Sequence, residues 1–192
     1  MASTLKIDTV TTPDGTGNIT FNRPINAAQG GVGKILQVAQ THVTAISSQS
    51  VSANTITNIT NLNVAITPSA TSSKILVKVR WMGDGSNGDI NDGMWGINRD
   101  STAVGSPAAA DRRVVGLAGI CMGYTSNTDT ASMDSAMYEY LDSPSTTSAT
   151  TYHATFTIKT AQTMYNNQVR TDGDASHIER GTSTITVMEV SA

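Results

Sequence analysis

The stretch Lys74-Ile-Leu-Val-Lys-Val-Arg-Trp81 decides the fold. Ile75, Val77, Val79 and Trp81 fall on one parity, and Lys74, Lys78 and Arg80 on the other. Strict alternation of this kind is the mark of a strand with one face in a core and one toward water. Only Leu76 breaks the polar side. The same period recurs at Leu62, Val64 and Ile66, and again at Tyr152, Ala154, Phe156 and Ile158 between threonines, His153 and Lys159. Trp81 and Tyr152 keep phase with aliphatic neighbours and are expected in the core.

Further strands are predicted over residues 34–43, 94–98, 135–141, 164–169 and 184–190, with a bent or bulged one over 114–122, where Gly116, Gly119 and Gly123 interrupt an apolar run. Residues 34–43 and 184–190 are apolar on both parities. A strand on the surface of a sandwich needs one apolar face, so the second face wants a partner, such as a neighbouring subunit. Residues 45–54, 83–93, 99–113 and 125–132 read as loops from their Ser, Gly, Asp and Asn content, and 67–73 and 172–174 as turns. No amphipathic helix emerges. Eight to ten strands separated by turn signals predict an all-β fold, an antiparallel β-sandwich or jelly roll.

Composition agrees. In 192 residues, charged residues make up 14% and aromatics 5%, so the polar remainder is Thr, Ser, Asn and Gly, which suit strands and turns rather than helices. A net charge of -3 gives no electrostatic case for nucleic acid. No apolar run approaches the length of about 20 residues that crosses a bilayer, so no membrane insertion is expected. No basic segment followed by an apolar one opens the sequence, which predicts synthesis and assembly in a cytosol. Cys121, the single cysteine, excludes an internal disulfide and a cysteine-rich zinc site.

The head of the chain reads separately. Leu5 and Ile7 alternate with Lys6 and Asp8 in a short strand over residues 5–10; Pro13-Asp14-Gly15 turns it, and Ile19 to Phe21 forms a second. Two such strands alone are marginal in water. Residues 1–25 are therefore predicted to be an arm that lies against another protein, with Leu5, Ile7, Ile19 and Phe21 as its apolar anchors. Residues 26–33, small and glycine-rich, read as a linker, and residues 34–192 as the sandwich domain.

Chemistry is sparse. In Gly30-Gly-Val-Gly-Lys34 a phosphate-binding loop would need Gly where Ala28 stands and Ser or Thr where Ile35 stands. Counting from Asp84, a calcium-binding EF-hand needs a bidentate carboxylate where Trp95 stands. Asp172, Asp174, His177 and Glu179 place oxygen and nitrogen ligands close in sequence, but a solvated turn beside a surface strand accounts for them. No nucleophile elbow occurs, and His42, His153 and His177 lack a triad context. The expectation is a protein that is not an enzyme and carries no metal or cofactor. Among the aromatics, Trp95 beside the Asp/Gly loop is the candidate for a surface ring on which a glycan could stack.

Ser3-Thr-Leu-Lys-Ile-Asp8 followed by Gly15-Thr-Gly-Asn-Ile-Thr-Phe21 resembles the head of tail-fibre-like and related virion proteins of tailed bacteriophages, of the cyanophage and marine phage type. The likeness extends through Gly33-Lys-Ile-Leu-Gln-Val38, Ile66-Thr-Pro-Ser69 with Thr71-Ser-Ser-Lys-Ile-Leu-Val77, Leu141-Asp-Ser-Pro144 with Thr151-Tyr152, and Ser183-Thr-Ile-Thr-Val-Met-Glu-Val190. It implies a tumour-necrosis-factor-like jelly roll that assembles as a homotrimer, located on the virion after assembly in the host bacterial cytoplasm. Its partners would be other virion proteins of tail, neck or capsid. The role implied is a short fibre or spike, with host attachment as its purpose. A capsid decoration protein that cements the head, and an adhesin that grips a host glycan through the jelly-roll loops, are the other two roles.

Overall fold

The computed structural model describes residues 34–107, 116–120 and 132–191. The strands are β1 (Ile35–Val43), β2 (Ser47–Val51), β3 (Thr57–Ile66), β4 (Lys74–Gly85), β5 (Met94–Arg99), β6 (Thr102–Val104), β7 (Asp134–Asp142), β8 (Thr150–Thr157), β9 (Gln162–Asn166) and β10 (Ser183–Val190), with one 3-10 turn at Gly88–Asp92. Every ladder between them is antiparallel.

The pairing is nested. β1 pairs with β10, β2 with β9, β3 with β8, β4 with β7 and β5 with β6, so the chain is one long hairpin folded back on itself. Lateral ladders of β10 and β9 with β4, and of β5 with β8, then roll that hairpin into two sheets. Sheet I runs β1-β10-β4-β9-β2 with β7 on the other edge of β4, and sheet II runs β3-β8-β5-β6. This is the jelly-roll way of burying two apolar faces against each other.

The alternation read from sequence explains the core. Ile75, Val77, Val79 and Trp81 of β4 meet Tyr152, Ala154, Phe156 and Ile158 from β8 and its end, with Leu62, Val64 and Ile66 of β3 and Ile185 and Val187 of β10; all are buried. Each fully buried aliphatic or aromatic side chain contributes about 1.5–3 kcal/mol, so this core carries most of the stability. Trp81 keeps its indole N–H satisfied by donating to Asn166 Oδ1 at 2.8 Å.

Several expectations need correction. The predicted loop over 45–54 contains β2, an edge strand whose only fully buried apolar residue is Val51; backbone pairing with β9 makes it, and side-chain pattern does not. The predicted loop over 99–113 contains the short β6. In 83–93, β4 continues to Gly85 before the 3-10 turn. Residues 116–120 form no strand, only an isolated bridge between Ala118 and Trp95. The small residues of that stretch let it lie against β5, where a Cβ on Gly116 would come within 2.6 Å of the Trp95 carbonyl oxygen. In the single chain β1 leaves Ile35, Leu36 and Val38 exposed, which is no correction: they belong to the second apolar face for which a partner was expected. The arm with Leu5, Ile7, Ile19 and Phe21, and the linker, lie outside the described residues.

Candidate functional site

Register puts the second apolar faces of β1 and β10 side by side on the outside of sheet I. Val38 faces Met188, Met188 faces Leu76, and Leu76 faces Leu141, making one row across four adjacent strands. Leu76, the one apolar residue on the polar side of β4, is thereby explained: it fills its place in this row. Val38 is 57% exposed and Met137, two rows along on β7, is 68% exposed. Ile35 and Leu36 extend the apolar surface at a β1 bulge.

Several polar groups of this face pair with one another, whereas Arg80 Nε is buried without a hydrogen-bond partner. In the next row Gln40 donates to Thr186 Oγ1 at 2.7 Å, and Lys78 lies 3.5 Å from Glu139. In the third, His42, Thr184, Arg80 and Met137 are in register, and Arg80 donates to Thr182 Oγ1 at 2.9 Å. Between the rows lies a shallow concavity of about 670 Å³ lined chiefly by Val38, Gln40, Lys78, Arg80, Met137 and Met188.

The outer face of sheet II is different. Asn63, His153, Asn98 and Ala103 make one of its rows, and Ala65 and Thr151 sit in the next. That is the ordinary polar exterior of an antiparallel sheet.

Buried charges serve the fold. Glu189 of β10 has no exposed surface, under a thin cover formed by Gln37 and the turn after β3. Its carboxylate accepts from Gln37 Nε2 at 2.6 Å, from the Ser69 N–H at 2.7 Å and from Ser69 Oγ at 2.6 Å. Desolvation pushes its pKa up, but hydrogen bonds from Ser69, Ser73 and Gln37 outweigh that and hold it down at about 2. Asp142 of β7 receives Arg99 at 2.8 and 3.1 Å and the Tyr152 hydroxyl at 2.7 Å. Burial first and the Asp142 carboxylate second drive the Tyr152 phenol upward from its ordinary value. The segments quoted above for their resemblance thus converge on two polar clamps. Gln37, Ser69 and Ser73 meet at Glu189, and Asp142 meets Tyr152. Sequence reading missed both, since the partners of Glu189 stand 120 and 152 positions away.

The other candidates disperse. Trp95, expected at the surface, is fully buried. Its ring lies 5.1 Å from Trp81 and 6.5 Å from the edge-on Phe156, which leaves no ring face for a sugar. The glycines around it belong to its packing: a Cβ on Gly93 would stand 3.1 Å from the indole. Asp84 accepts from the backbone N–H groups of Gly85 and Arg170, whereas Asp92 pairs with Lys159 at 2.8 Å. Asp172 takes both guanidinium bonds of Arg180, which hold its carboxyl below the usual range. Among the described residues no three His, Cys, Asp or Glu side chains gather as metal ligands. Asp134, opposite Gly83 at the start of β7, is pushed up to about 6 by burial first and then by the Asp84 charge.

Compared with models of known protein families and with curated protein sequences, the chain matches none.

Proposed function

We infer that the chain is a bacteriophage virion structural protein: a short homotrimeric fibre- or spike-type appendage. Residues 1–25 anchor it to the particle through Leu5, Ile7, Ile19 and Phe21, and the jelly roll projects outward for host attachment. The observation that carries this reading is the division of labour in the domain. Its buried carboxylates at Glu189 and Asp142 are consumed in holding turns and strands, while its outward feature is an apolar row on sheet I. A protein so made works by contact.

The test is assembly. Removing residues 1–25 leaves, on this reading, a folded trimer that no longer joins particles in an infected host, while the full chain is recovered with them. A truncated chain that unfolds, or one that still joins particles, would sink the docking arm. Immunogold labelling that finds the full chain free in the lysate and never on particles would sink the virion assignment.

A further inference from the structure

We propose that the concavity on the outer face of sheet I is a groove for an extended acidic segment of another protein. The segment lies along β4, with carboxylates over Lys74, Lys78 and Arg80 and an apolar side chain over Leu76. This goes beyond the virion reading, because the groove is formed within one chain.

Charge selects the sign of the occupant. The chain as a whole carries a net charge of -3. Yet in the rows of β1, β10, β4 and β7 that run from Lys74 to Arg80, Lys74, Lys78 and Arg80 stand against one carboxylate, Glu139. Lys78 and Glu139 lie 3.5 Å apart with both side chains more than half exposed. Such a pair contributes little in water, so Lys78 can turn to a second carboxylate. Arg80 is more constrained. It is half-buried, it donates to Thr182 Oγ1 at 2.9 Å, and its Nε is buried without a partner. Among the described residues no carboxylate comes within ion-pair reach of Arg80 or of Lys74. A half-buried guanidinium without an anion is poorly compensated, and a carboxylate brought to it makes a charge-assisted bond.

Shape selects the chemistry. Lys74, Leu76, Lys78 and Arg80 are alternate residues of one strand, so they leave the sheet about 6.8 Å apart. Each face of an extended polypeptide has that same repeat. Apolar side chains flank the cations on both sides, Val38 and Met188 toward β1 and Met137 and Leu141 on β7. They suit a peptide that mixes acidic and apolar residues, and the methionines adapt to its outline. A sugar ring finds no stacking partner, since the one aromatic residue of the lining, Tyr138, is buried. A bilayer, flat on this scale, does not follow a concavity.

The experiment uses the full chain with carbon-13 in its methionine methyl groups. The probe is a capped peptide of seven residues, with glutamate at the first, fifth and seventh positions, leucine at the third and serine between. Titration should move the methyl signals of Met137 and Met188 to saturation and leave that of Met164, in the core, in place. Binding should weaken at least about fivefold between about 0.02 M and about 0.3 M salt, and the peptide with glutamine for glutamate should not bind. Lys78→Gln and Arg80→Gln should each weaken binding about fivefold. Glu139→Gln releases Lys78 and removes a like charge, so it should tighten binding about threefold. Ala65→Glu, on the outer face of sheet II, should leave it unchanged. If Arg80→Gln fails to fold, Lys74→Gln, at an exposed position, is read in the same way. No saturable shift with wild type or with Glu139→Gln overturns the proposal, and so does binding that the cation variants do not weaken. Equal or tighter binding of oligogalacturonate gives the groove to an anionic saccharide, and of phosphatidylglycerol vesicles to a membrane. Met137 and Met188 signals that move on dilution of the protein alone give it to a second copy. Each of these three overturns the peptide assignment.

Discussion

Replacing Glu189 by Gln isolates what the buried carboxylate does, because shape and volume are kept. The carboxylate accepts three hydrogen bonds at 2.6–2.7 Å from Gln37 and Ser69. An amide can turn its oxygen to Ser69, but its NH₂ then faces the NH₂ of Gln37. For Gln37 to flip, it must give up the bond that its NH₂ makes to the Thr67 carbonyl at 2.7 Å. Hydrogen bonds to a charged group contribute about 1 kcal/mol more each than neutral ones, so losing the charge at three bonds costs about 3 kcal/mol. In a chain of this length that lowers Tm by about 6–12 °C.

The acid profile adds a second signature. The folded-state pKa of Glu189 is held at about 2, below its ordinary 4.5. Its stabilisation is therefore fully present above about 4.5 and is lost as pH falls from there toward 2. Urea unfolding at pH 7 and at steps down to pH 2 should show the wild type converging on Glu189→Gln as acid is added, with the slope m unchanged. A variant as stable as wild type at pH 7, or two curves that run parallel into acid, would refute the account of this clamp.

Other expectations follow from the same geometry. Asp142→Ala strands the Tyr152 hydroxyl and half-buried Arg99, and should cost about 3–5 kcal/mol. Tyr152→Phe should cost only about 1–2 kcal/mol, and chemical denaturation of both variants reads the difference. Trp95→Ala opens a hole between Trp81 and Phe156 and should cost about 3–5 kcal/mol in the same assay; near-neutral behaviour would mean that the indole lies outside the core. Asp134 is raised in the fold to about 6 from an ordinary 3.8, so its contribution is fully present below 3.8 and is lost as pH rises through 6. Asp134→Asn should then raise Tm by about 2–4 °C at pH 8 and leave it unchanged at pH 3; a loss at pH 8 would contradict the desolvated placement.

What was legible in the sequence was whatever has a period of two. β3, β4 and β8 declared their inward faces residue by residue, and the core of Leu62, Val77, Trp81 and Phe156 is the one their alternation implies. β2 and β6 were illegible because their place is set by backbone bonds to β9 and β5, with few apolar side chains to mark it. Trp95 was misread because it follows the Asp/Gly loop that ends at Gly93. Gly93 is small because Ile158, the Ile90 carbonyl and then the Trp95 ring occupy the space a side chain would take. The apolar row on the outside of sheet I was half legible. Two strands were apolar on both parities, and Leu76 was out of place on a third, yet only register could show that these residues form one row. The Glu189 clamp was beyond reach, since a carboxylate on the last strand gives no local sign that the turn after β3 will close over it.

The central claim is that this jelly roll works as a self-associating subunit, and the molar mass of the full chain in solution tests it most directly. Light scattering across a dilution series should return about 60 kDa, three copies of the 20.1-kDa chain. A constant mass of one chain at every concentration would contradict it.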